Sequence, residues 1–171
     1  MKRTLLIFVL LTALWSCDDS PKDKTGESAV PLLSLAEFDA KAGDYVGKPV
    51  MVRGIVDHVC KHGGKKILLV DDHGEVHVTS GTRFDEALVG EELELTGKVA
   101  EFRVDESYIL QKEEDYITDH KEGKTSQEIY DQKMKQLQFF RDSMKTAKTD
   151  HLSFYSLEYI SHEVISGKDK G

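Results

Sequence analysis

The chain has 171 residues, 39% of them hydrophobic and 32% charged, with a formal net charge of -8. Those figures fit one soluble domain with a modest core and exclude a polytopic membrane protein. The acidic balance argues against a general polyanion binder, which needs a basic surface.

Lys2 and Arg3 precede an apolar run over residues 4–14. The run is shorter than the ~20 residues a spanning helix needs, and a short apolar run behind positive charge reads as a secretion signal. It ends in Leu14, Trp15, Ser16 and Cys17. That ending resembles a bacterial lipoprotein signal: an aliphatic residue, then a small one, then the cysteine that receives lipid. Trp15 is an unusual second residue. Residues 1–16 are therefore expected to be a signal peptide, with Cys17 lipidated and residues 17–31 a flexible tether. The expected location is the cell envelope, anchored to a bacterial membrane and facing the periplasm or the surface. Cleavage leaves 171 - 16 = 155 residues and removes Lys2 and Arg3, taking the net charge from -8 to -10. Cys60 is then a thiol with no partner in its own chain.

Ser34 and Glu37 have capping-box spacing. They predict a helix over residues 35–42, closed by Gly43, with Leu35, Phe38 and Ala42 on its buried face. Alternation over residues 50–60 predicts a first strand. Val50, Val52, Val56, His58 and Cys60 fall on one face, and Met51, Arg53, Ile55, Asp57 and Val59 on the other. Gly54 marks a bend. After a two-glycine turn at residues 61–65, second and third strands are predicted over residues 66–71 and 75–80. Thr82 opens a short helix that Gly90 closes. A long fourth strand runs over residues 92–104 around Gly97, and a fifth over residues 108–116. Ser126 caps a long helix to about residue 148, with Ile129, Met134, Leu137, Phe140, Met144 and Ala147 as its apolar stripe. The aromatic and β-branched tail over residues 152–165 suggests a hairpin turning near Glu158 and Tyr159; its length also allows a helix.

This order is that of an α+β protein built on an OB-fold-like, five-stranded Greek-key barrel. The expected barrel occupies residues 32–120, with a short N-terminal helix. The helix between strands three and four plugs its base. A C-terminal amphipathic helix and tail fill residues 121–171. Val52, Val56, Leu68, Val76, Leu93, Leu95 and Val99 are the expected core.

The segment from His58 through Val59, Cys60, Lys61, His62, Gly63, Gly64 and Lys65 to Lys66 resembles one found after the first strand in a family of Bacteroidetes OB-fold lipoproteins. The stretch from Arg103 to Tyr108, and the tail Leu152, Ser153, Phe154 and Tyr155, are also similar to that family. The resemblance covers most of the mature chain; only the nine-residue segment is specific. It implies the barrel and the lipid anchor, and no reaction. Many relatives carry a His-rich linker before the last helix, where this chain has only His120. An exported haem chaperone of similar fold carries a His before an Asp-Glu-x-Tyr run, and here Val104 stands at that place.

Imidazole and thiolate are ligands for zinc and copper. His58, Cys60 and His62 could occupy one side of such a metal, with His73 or His77 as a further ligand. The plainer reading is a small buried thiol and solvated imidazoles. A redox role for Cys60, its pKa lowered by neighbouring lysines, is a third. Lys61, Gly63, Gly64, Lys65 and Lys66 could cup an anion, or simply keep a turn soluble. The paired acids at Asp71 and Asp72, Glu91 and Glu92, and Glu113 and Glu114 read as solvated faces, and no catalytic order is legible. The first three strands offer no aromatic ring for stacking a nucleic acid. The sequence therefore points to a lipid-anchored binding module taking a transition metal or small ligand. The alternative is a structural or protein-interaction lipoprotein without metal, and nucleic-acid binding stands third.

Overall fold

Five strands close into a barrel in the order β1-β2-β3-β5-β4 in the computed structural model, which describes residues 29–165. They are β1 (Pro49–Val59), β2 (Lys66–Val70), β3 (Glu75–Thr79), β4 (Glu92–Asp105) and β5 (His151–Val164). The helices are α1 (Leu35–Lys41), α2 (Glu106–Lys121) and α3 (Gln127–Ala147), with 3₁₀ turns at Ala42–Tyr45 and Glu86–Leu88. This is the expected α+β, OB-fold-like architecture. The signal peptide, Cys17 and tether residues 18–28 lie outside the described residues.

The alternation in β1 puts Val50, Val52 and Val56 in the barrel core with Ile67, Leu69, Val76, Val78, Leu93, Leu95, Val99 and Leu157. Leu68, expected inside, is half-buried and faces out, because β2 buries its neighbours Ile67 and Leu69. Neighbouring groups crowd both mid-strand glycines, and the β4–β5 register shifts at Thr96 and Gly97. A Cβ on Gly54 would fall 2.9 Å from Leu35, and one on Gly97 would fall 2.9 Å from the Leu157 Cβ.

The barrel is filled from two segments where one was expected. The linker between β3 and β4 makes a 3₁₀ turn at Glu86–Leu88 in place of the expected helix, and still sends Phe84 into the core with Leu88 packed against it. Leu35, Phe38 and Ala42 from the N-terminal helix enter the same core. Gly43 does not close that helix; the chain continues through the 3₁₀ turn Ala42–Tyr45. Ser34 Oγ bonds Glu37 Oε2 at 3.0 Å, so the two side chains meet each other and neither caps the helix.

The fifth strand is the main correction. Residues 108–116 belong to α2, which starts where the Asp105 carboxylate accepts the Tyr108 amide proton at 2.8 Å. Beyond Leu110 this stretch is rich in Gln, Lys and Glu, strong helix formers. The strand that closes the barrel is β5, unbroken where a hairpin was expected, since residues 158–159 hold no turn former. It runs parallel to β3 at Val78 and Thr79 and antiparallel to the whole of β4. The barrel therefore extends past residue 120, and α2 and α3 are an insertion between its last two strands.

Beyond the barrel, β4 and β5 continue as a two-stranded ribbon, with Ala100 opposite Ser156 and Asp105 opposite His151. The α2–α3 hairpin packs against it through a second core of Val104, Ile109, Leu137 and Met144. Ile129 and Ala147, at the ends of the expected stripe, stay exposed.

Gly97→Ala should part β4 from β5, because the new methyl would meet the Leu157 Cβ at 2.9 Å and the Glu158 carbonyl at 3.1 Å. Urea denaturation should show a loss of about 1–3 kcal/mol, the usual range for overpacking. An unchanged midpoint would contradict this packing.

Candidate functional site

The His58, Cys60 and His62 cluster is not assembled as the strand alternation predicted. The β1–β2 register shifts between Val56 and His58, a bulge that breaks the alternation. Val59 turns inward and His58 outward, where its Nδ1 lies 2.7 Å from Asp57 Oδ2. Cys60 has left the strand and is half-buried, while His62 and His73 are exposed in turns. His77 and His58 both face Leu68 in register, two strand spacings apart, about 10 Å. Among the described residues, no three His, Cys, Asp or Glu side chains gather as a metal ion requires. The lysine-rich turn is assembled, and it gains Arg83, whose guanidinium lies over Gly64.

A second feature escaped the sequence reading. Phe102 on β4 and Phe154 on β5 are register partners, with ring centroids 6.4 Å apart. Tyr108 of α2 meets Phe102 edge-on at 5.2 Å, and Phe140 of α3 meets Phe154 at 6.1 Å. Phe139 continues the chain of rings at 6.3 Å from Phe140. Phe102, Phe154 and Phe139 remain 50%, 46% and 66% exposed, so these rings are surface and not core. Phe102 and Phe154 open onto a cleft of about 290 Å³ between ribbon and hairpin, lined also by Tyr108, Tyr116, Gln136, Leu137 and Phe140.

Such a chain of edge contacts fixes ring positions, and exposed rings set in place are a surface poised for apolar contact. The signal was partly visible in sequence. Phe102 and Phe154 sit at outward positions of long strands, and Phe139 lies off the α3 stripe. What was missing was the pairing of β4 with β5.

Charges around the cleft are largely satisfied within the protein. Arg141 Nη2 bonds Glu106 Oε1 at 2.8 Å and Glu113 Oε2 at 2.7 Å, tying α3 to α2. Lys112 pairs with Asp115 at 2.9 Å, and Lys133 Nζ sits 4.5 Å from the centre of the Tyr116 ring. The hydrogen bond from Arg141 holds the Glu113 carboxyl below the usual carboxylate range.

No protein-family model and no curated protein matches the chain. Among solved structures, a putative aspartyl-tRNA synthetase from Leishmania major Friedlin is similar at 15% identity and TM-score 0.35, covering 47% of this chain and 18% of that one. Replication protein A from U. maydis, bound to ssDNA, is similar at 28% identity and TM-score 0.30, covering 40% of this chain and 57% of that one. Telomere capping protein Ten1 from Saccharomyces pombe follows at 16% and 0.31, covering 41% and 67%. The chain thus spans under a fifth of the synthetase and just over half of the replication protein. Overlap this loose carries no functional argument.

The Glu113 shift has a definite sign. A carboxyl held low in the folded state contributes stability above its unfolded pKa of about 4.3 and loses that contribution as pH falls through the folded value. Arg141→Gln should therefore lower the melting temperature at pH 7, and the gap to wild type should close as pH drops below about 4. A gap that stayed constant down to pH 2 would contradict the Arg141–Glu113 ion pair.

Proposed function

We propose that the protein is a lipid-anchored docking module of the bacterial cell envelope, whose partner seats an apolar segment in the aromatic cleft between ribbon and hairpin. The observation that carries this reading is the chain of ring contacts from Tyr108 through Phe102, Phe154 and Phe140 to Phe139, in which Phe102, Phe154 and Phe139 are exposed. It sits on the connection between the last two strands, a position from which OB-folds engage ligands. Because Arg141 and Lys112 are held by Glu106, Glu113 and Asp115, neither is left to draw an acidic partner, and the rings set an apolar complement. The anchor reading rests on the short apolar run and on Cys17 behind it. Membership of the Bacteroidetes lipoprotein family belongs to the same proposal, supported by the segment at residues 58–66.

The zinc or copper reading is not carried forward, since its ligands stand apart. Nucleic acid stays the weaker partner: no aromatic ring lies on β1, β2 or β3.

Two experiments test the two halves. Cys17→Ala should abolish incorporation of an alkyne-tagged fatty acid and move the protein to the soluble fraction; persistent labelling would contradict the anchor. A photocrosslinker at Gln136, inside the cleft, should give a discrete adduct in cells that the same group at exposed Asp72 does not give. The double change Phe102→Ser, Phe154→Ser should remove that adduct while the protein still melts cooperatively. An adduct indifferent to the two rings would contradict the cleft reading.

A further inference from the structure

We infer that the barrel end formed by the β1–β2 turn and the β3–β4 linker binds a phosphate group. The two segments are tied together by backbone hydrogen bonds. The Ser80 amide donates to the Lys65 carbonyl and the Phe84 amide to the Gly64 carbonyl, both at 2.8 Å. Within the turn, the Gly64 amide donates to Cys60 and the Cys60 amide to Lys66, also at 2.8 Å. These bonds bring Lys61, Lys65, Lys66 and Arg83 to one small, held surface.

All four cations are exposed, and none makes an ion pair among the described residues. By contrast Arg53, Lys98 and Arg103 on the barrel strands are each paired. The nearest carboxylates in sequence are engaged elsewhere: Asp57 holds His58, and Asp85 accepts the Ala87 amide. A concentration of unpaired positive charge in a chain of net charge -8 is a local field with an external anion as its complement.

Arg83 is also held in place. Gly64 has φ +67°, and a Cβ there would fall 3.0 Å from Arg83 Cζ and 3.1 Å from its Nε. The guanidinium therefore rests on the turn through the space that the glycine leaves open. Its planar fork suits two oxygens of a tetrahedral anion, and the lysines supply point charges around it. Among the described residues the amides of Lys61, His62 and Gly63 have no backbone acceptor, and such turns can add donors to an anion.

The start of β1 is not far from this end: register partners lead from Pro49 to Lys98, Glu158, Thr79 and Lys66, four strand spacings or about 20 Å at most. The chemistry suits the phosphate of a soluble ligand and that of a lipid headgroup alike, and the titration separates the two sources.

Titration of the isotope-labelled protein with pyrophosphate, followed by amide chemical shifts, tests the site. Saturable shifts are expected at residues 61–66 and 82–84. Arg83→Gln and Lys65→Gln should each weaken binding by about tenfold, the loss expected for one charge-assisted hydrogen bond. Lys98→Gln should leave the affinity unchanged, and all three variants should melt like wild type. Chloride at matched ionic strength should not reproduce the shifts. Vesicles of phosphatidylglycerol, against phosphatidylcholine as the control, report whether a lipid headgroup competes for the same residues. Absence of saturation by about 10 mM pyrophosphate, equal shifts with chloride, or an unaltered affinity in Arg83→Gln would each overturn the site. Competition by phosphatidylglycerol vesicles that depends on Arg83 would support the site and put its phosphate on a lipid headgroup; pyrophosphate binding without such competition would support the site and put it on a soluble ligand.

Discussion

The pairing of β4 with β5 is the constraint on which the rest of the structure depends. It runs from Leu93 opposite Val164 to Asp105 opposite His151, and β5 reaches β3 on its other side at Val78 and Thr79. Without β5 the sheet keeps two open edges, and Leu157 is missing from the middle of the core. The two strands are separated by residues 106–150, so closing the barrel means closing a long loop. The helical hairpin reduces that entropic cost by folding the loop into a unit whose ends lie together, with Arg141 clamping α3 to α2.

One pairing thus serves two layers. At the barrel it places Leu93, Leu95, Val99 and Leu157 inside. On the ribbon it sets Phe102 against Phe154 and supports Val104, the floor of the second core. The aromatic cleft is a consequence of the same register. A slip of β5 by one residue would turn Phe154 to the other face of the ribbon, away from Phe102, and leave the cleft without part of its wall. The basic end is independent of this ribbon. It depends on the β1–β2 turn, the β3–β4 linker and the bulge before His58, so the two surfaces can be altered separately.

What the sequence showed depends on how local each signal was. Strands β1 to β4 were read correctly because alternation and their bounding glycines are local features. The α1 face of Leu35, Phe38 and Ala42 was legible for the same reason. The closing strand was misplaced because Tyr108, Ile109 and Leu110 mimic a strand while the Asp105 cap speaks for a helix. The tail had strand character, but nothing local said that its partner was β4. The His58 and Cys60 site failed on a single bulge, which no residue type announces and which inverts every side chain beyond it. The lysine turn was visible; Arg83 was not, because its contact with Gly64 joins segments nineteen residues apart.

The most direct test of this account is to end the chain after Lys148, keeping both helices and removing β5. If β5 closes the barrel, the shortened protein should lose its cooperative thermal transition, and its β1–β4 amides should exchange with solvent at rates near those of an unfolded chain. Adding a synthetic peptide of residues 149–165 should restore protection. A shortened chain that still melts cooperatively with protected β1 and β4 amides would contradict the account, because the barrel would then be closed by something other than β5.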